Sequence, residues 1–203
     1  MFLTAAYGPP PAHPHDPTDD HRLVVRIRTG NESDARAAFE ALFATYGTAL
    51  IEFARSQLGD RAKAEDVVHD VFVSVWIHRT QWVVRGTPRT YLYQAVRHRV
   101  INARRDAHVR AHIGIPADDE ARHAAAAPDR SDAAVTDWEL RRILDQAIFR
   151  LPPRNREVFL LVRAQHLSHA EAAEILGISI NAVAVHMRRA LDVLRAVVAE
   201  YQR

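Results

Sequence analysis

Residues Ser168–Met187, SHAEAAEILGISINAVAVHM, read as two short helices joined by a tight turn. Ser168 and Glu171 stand at the spacing of a capping box, in which each side chain satisfies a backbone N–H of the other's residue. Ala173 and Leu176 point inward, and Gly177 lets the chain leave the helix in a left-handed conformation. Ser179 then caps a second helix. A small residue at Ala173, a turn glycine at Gly177 and packing residues at Ile178 and Val183 are what a helix-turn-helix requires. Stepping ~100° per residue along the second helix puts Val183, Met187, Ala190 and Leu194 on one side. Asn181, Val185 and Arg188 fall opposite, with Ala184 and Arg189 at the edges. Asn181, Ala184, Val185, His186, Arg188 and Arg189 are therefore the candidate residues for reading a DNA groove, asparagine suiting adenine edges and arginine guanine.

Working upstream, Leu140, Ile143, Leu144, Ala147, Ile148 and Leu151 form an apolar stripe that stops at Pro152-Pro153, and a further helix runs through Val158, Leu161 and Val162. These elements and the helix-turn-helix make one domain, residues 138–203. Before it, residues 112–137 hold two prolines, an alanine run and six acids against Arg122 and Arg130, with no sustained apolar stripe, and read as a flexible linker.

The first half is also helical. Phe39, Leu42, Phe43, Tyr46, Leu50 and Phe53 recur at steps of three and four, with a break conceivable at Gly47 and a stop at Gly59. Ala64, Val67, Val68, Val71, Phe72, Val75 and Trp76 form a second ladder, leaving Glu65, Asp66, His69 and Asp70 on the opposite side. Asp66, His69 and Asp70 share one face, suited to charge-assisted hydrogen bonds with a basic partner. Thr87-Pro88 opens a third helix. From Arg85 to Arg110 there are seven arginines against Asp106 alone. In it Arg97, Arg99, Arg104 and Arg105 alternate with Tyr91, Tyr93 and His98, a combination that can hold phosphates and stack unpaired bases. This domain is set at residues 31–111, and residues 1–30, proline-rich at the start, are read as a disordered tail.

Composition narrows the classes. The 203 residues contain no cysteine, which excludes disulfides and thiolate metal sites. The formal charge of +2 says little by itself, because the basic and acidic segments are separate. The first residues lack the charged start and apolar run of a secretory signal, and no apolar stretch reaches membrane-spanning length, so a cytoplasmic protein without membrane insertion is expected.

Taken in order, AEDVVHDVFVSVW (64–76), TPRTYLYQAVRHRVINARRD (87–106) and the stretch from Leu151 to Arg195 resemble extracytoplasmic-function sigma factors of the sigma-70 family. The likeness spans about Phe39 to Arg195 apart from the linker. It implies an all-α chain of two small helical domains, a sigma-2 bundle and a sigma-4 helix-turn-helix domain, joined by a flexible linker. It also implies a role in transcription initiation without catalysis or cofactor. By the resemblance, Asp66, His69 and Asp70 meet the β′ clamp of core RNA polymerase, and the second domain grips the β flap. The opened −10 strand would lie on Trp82, Tyr93, Arg97, His98, Arg99, Asn102, Arg104 and Arg105, and the helix after Ser179 would read the −35 element of promoter DNA. An anti-sigma protein is an expected partner. His69 stands where a glutamine is common, His98 where asparagine is usual, Asn102 where aspartate is common and Ala182 where threonine is usual.

Two other readings differ in testable ways. An ordinary helix-turn-helix regulator would bind duplex DNA without polymerase, but leaves the acidic and aromatic-basic helices of the first domain unused. A metal enzyme could draw on His108 with His112 or His166 with His169, yet no H-E-x-x-H or acidic ligand accompanies either pair.

Overall fold

The computed structural model describes residues 17–112 and 132–201. Every regular element among them is helical, in two compact units.

The first unit comprises α1 (Pro17–Thr29), α2 (Glu32–Leu58), α3 (Arg61–Ile77), a single 3-10 turn (Arg79–Gln81) and α4 (Pro88–His112). Local chemistry sets each boundary. The Asn31 side chain accepts from the Asp34 N–H to start α2, and Gly59, at φ 74°, ends it with its own N–H on the Arg55 carbonyl. Asp60 accepts from the Lys63 N–H to start α3, and this bond to the backbone holds its carboxyl below the usual range. Thr87 and Thr90 cap α4 reciprocally, each accepting from the other's N–H at 3.2 and 3.1 Å. Helix α2 passes Gly47 without a break. That glycine is buried, and an added Cβ would stand 3.2 Å from the Phe43 ring.

Leu42, Tyr46, Leu50 and Phe53 of α2 pack with Val68, Val71, Phe72 and Val75 of α3 and with Leu92, Tyr93, Val96 and Val100 of α4. Helix α1 occupies residues 17–29 of the expected tail. Its Val24 and Ile27 are buried, its acids Asp19 and Asp20 sit in the first turn and Arg26 and Arg28 in the last, the arrangement the helix dipole favours. Asp20 is buried and accepts a hydrogen bond from the Tyr46 hydroxyl. Burial and the neighbouring carboxylate push that phenol far above its ordinary range. Arg26 donates to Asp34 at 3.0 Å, tying the end of α1 to the start of α2 and holding the Asp34 carboxyl low. Residues 1–16 of the expected tail lie outside the described residues.

The second unit comprises α5 (Asp132–Arg150), α6 (Pro153–Phe159), a π-helical turn (Leu160–Ala164), α7 (His169–Leu176) and α8 (Ile180–Tyr201). Helix α5 starts six residues before the expected domain boundary at Trp138, and 113–131 of the expected linker lie outside the described residues. Leu144 and Ile148 of α5, Leu151 just past its end, Val158 and Phe159 of α6, and Val183, Met187, Ala190 and Leu194 of α8 form the core. The π turn is closed by the Gln165 N–H on the Leu160 carbonyl at 2.9 Å, and His166 follows in the left-handed region at φ 53°.

Candidate nucleic-acid interface

The helix-turn-helix is held by the residues that its sequence singles out. The Ser168 N–H donates to the Glu171 carboxylate at 2.8 Å, and the Glu171 N–H donates to Ser168 Oγ at 3.2 Å. Gly177 takes φ 63°, its following residue Ile178 donating to the Ala173 carbonyl at 3.1 Å. Ser179 Oγ accepts from the Ala182 N–H at 3.1 Å to open α8.

On α8 the split between faces is sharp. Val183, Met187, Ala190 and Leu194 are buried. Asn181, Ala184, Arg188 and Arg189 are exposed and Val185 is half-buried, so a continuous polar and small-residue surface is free to enter a groove. His186 is different: it is half-buried, and its Nδ1 lies 2.9 Å from Oδ1 of Asn155 on α6. Asn155 escaped the sequence reading because it stands among Arg154, Arg156 and Glu157 in a short helix, where no spacing singles it out.

Helix α4 presents His98, Asn102, Arg104 and Arg105 to solvent. Arg99 is also exposed and donates to Asp70 of α3 at 3.1 Å. Three of the residues expected to touch the opened strand do not face outward. Trp82 is 5% exposed, packed edge-on against Tyr91 with ring centroids 5.5 Å apart. Tyr93 is 1% exposed and meets Phe53 edge to face at 5.4 Å. Arg97, four residues further along the same face as Tyr93, is 8% exposed. In the free chain these two rings and the guanidinium are therefore part of the packed interior, unlike the other residues expected to meet the strand.

Asp66, His69 and Asp70 are all exposed on α3, as their spacing requires. Beside them runs an open groove of about 380 Å³ between α2 and α3, floored by Phe39, Phe43, Phe72, Val73 and Trp76 and bordered by Arg36, Glu40 and His69. Phe43 and Val73 are 42% and 39% exposed, and Phe72 meets Phe39 and Phe43 edge to face at 5.7 and 4.9 Å. The groove was hidden in the sequence because α2 carries two apolar stripes: Leu42, Tyr46 and Leu50 fill the core, while Phe39 and Phe43 lie beside it. No group of three metal-ligating side chains converges among the described residues, and no single helix among them is long and apolar enough to cross a membrane.

Comparison with known proteins gives this geometry its context. Residues 42–110 match the family described as Sigma-70 region 2, and residues 141–194 match Sigma-70, region 4. The chain is 32% identical over 184 residues to the RNA polymerase sigma factor CarQ of Myxococcus xanthus, covering 88% of this chain and 97% of CarQ. The solved structure of CnrH in complex with the cytosolic domain of CnrY is similar at 25% identity with a TM-score of 0.63, covering 91% of this chain and 99% of CnrH. The fold is also that of RpoE from Bartonella quintana, solved with the anti-sigma factor NepR, at 22% identity and a TM-score of 0.61 over 79% of this chain and 96% of RpoE. With both regions present in order and a relative matched along almost its whole length, the chain belongs to the sigma-70 family as an extracytoplasmic-function sigma factor, a transcription initiation factor and not an enzyme.

Proposed function

We propose that the two units divide initiation between them through three surfaces. The acidic face Asp66, His69 and Asp70, with the aromatic groove beside it, docks on core RNA polymerase at the β′ clamp. An apolar floor with Glu40 at its border and Asp66 and Asp70 on the neighbouring face fits a partner helix that carries aliphatic and basic side chains together. His98, Arg99, Asn102, Arg104 and Arg105 on the outer side of α4 hold the opened −10 strand, mostly through its phosphates, since arginine supplies charge and donors without needing a base edge. Asn181, Ala184, Val185, Arg188 and Arg189 on α8 read the −35 duplex in the major groove, while the second unit grips the β flap.

The observation that carries this reading is the division of α8 into a buried apolar face and an exposed face bearing Asn181, Arg188 and Arg189. Strand opening draws on binding energy, and the chemistry belongs to the polymerase. An anti-sigma protein is the expected regulator; support comes from CnrH, whose solved structure holds the cytosolic domain of CnrY. The setting is the cytoplasm, where polymerase works.

Run-off transcription from the promoter of its own gene tests the reading. Parent protein with core polymerase should give a discrete transcript, and Arg188→Ala should lose about 1–3 kcal/mol at one −35 base pair. An even loss over a panel of single-base −35 variants, with a flatter salt dependence, would reassign Arg188 to a phosphate.

A further inference from the structure

Helix α6 reaches the recognition helix through one polar contact. Asn155 is the third residue of α6 and only 8% exposed, and its Oδ1 lies 2.9 Å from Nδ1 of His186. A carboxamide oxygen can only accept, so the proton of this bond is on Nδ1. In a neutral imidazole the tautomer is set by the bond that one nitrogen makes, so Nε2 is then left bare. The two nitrogens lie on opposite edges of the ring, which turns Nε2 away from α6 on a side chain that is still half-exposed. By the 100° step, His186 borders the groove-facing surface on the side of Arg189.

We propose that Asn155 is a positioning residue for promoter reading: it fixes His186 in the Nδ1–H tautomer, so that Nε2 meets DNA as an acceptor for an exocyclic base amino group. The major-groove edges offer two such donors, adenine N6 and cytosine N4. Phosphate oxygens carry no proton to give, so a bare Nε2 does not hold the backbone, a task left to the flanking arginines. His186 thus contributes selectivity that neither Arg188 nor Arg189 supplies, because guanidinium groups only donate. The inference rests on α8 being the −35 reader.

The test uses the full chain at pH 8, above the ordinary histidine range near ~6.5. Long-range nitrogen–proton NMR of the imidazoles should show His186 with a proton on Nδ1 and none on Nε2. Asn155→Ala should shift it toward the Nε2–H form, while Asn155→Asp, which retains an acceptor, should keep the parent pattern. On the panel of single-base −35 duplexes, Asn155→Ala should weaken binding about three- to tenfold where the target presents adenine or cytosine at one position, and little elsewhere. An Nε2–H tautomer in the parent, or an equal loss on every duplex, would overturn the proposal. If Asn155→Ala does not fold, His186→Ala replaces it: loss confined to one base pair supports the proposal, and uniform loss or none overturns it. Arg188→Ala is run in parallel. No effect from either arginine or histidine substitution removes α8 from the interface altogether, whereas an effect of Arg188→Ala alone refutes only the role of Asn155.

Discussion

Gly177 turns the helix-turn-helix at φ 63°, and an added Cβ would meet nothing within 4 Å. Its replacement is therefore a pure backbone experiment. Gly177→Ala should cost about 1–2 kcal/mol in denaturant unfolding, and Gly177→Asn less, since asparagine tolerates the left-handed region. Tyr46 and Asp20 make a second experiment. Tyr46→Phe removes the hydroxyl that donates to a buried carboxylate, and stability should fall by about 1–3 kcal/mol. Because the Tyr46 phenol is raised in the folded state, its contribution is complete below the ordinary tyrosine value near ~10 and is lost as pH rises beyond it. The parent should thus show an alkaline loss of stability that Tyr46→Phe lacks, measured by unfolding between about pH 9 and 11. Single residues were legible in the sequence where one geometry requires one residue type, as at Ser168, Gly177 and Gly59. They were illegible where two roles suit the same residue. Tyr93, Val96 and Val100 already stand at core spacing, but an aromatic among arginines equally suits stacking, and only the packed structure shows Tyr93 buried against Phe53.

At the level of the helices, the ends carry more information than the middles. Asp60 caps α3 and Ser168 caps α7, and replacing either by alanine should cost about 1 kcal/mol. The two should differ in pH dependence. The Asp60 carboxyl is depressed in the folded state, so its stabilisation is present above the ordinary aspartate value near ~3.9 and disappears as pH falls through the lower folded value. Asp60→Ala should accordingly matter less in acid than at neutral pH, as acid titration of the two proteins would show. Seven of the described helices, α2 to α8, were legible from apolar stripes or from their capping residues. Helix α1 was not, because five prolines in the opening residues coloured the reading of everything up to residue 30. Its own marks, Val24 and Ile27 three apart between an acidic start and a basic end, are short and give only one turn of repeat.

For the molecule as a whole, the all-α class was legible because apolar spacing stays at three and four from end to end, and the division in two because the stripe lapses once. Where each unit begins was less so, since a helix end that shows little apolar pattern resembles a connector. Each unit holds its own buried core, and each should unfold cooperatively when expressed alone as 17–112 or 132–201. Reversing the charges of Asp66 and Asp70 together should weaken competition for core polymerase and leave the second unit's affinity for −35 duplex unchanged. Parent-like competition by the double variant would detach the acidic face from docking.

The seating of α1 has a practical corollary for anyone trimming the protein. The matched sigma region starts at residue 42, and the chain could be cut at residue 31 without touching any recognised motif. Such a shortened protein would lose Val24 and Ile27 from its interior and strip the partner from the Tyr46 hydroxyl. A greasy strip on α2 would then face water. Poor solubility of that fragment would reflect a missing piece of fold, while a fragment starting at residue 17 should stay monodisperse.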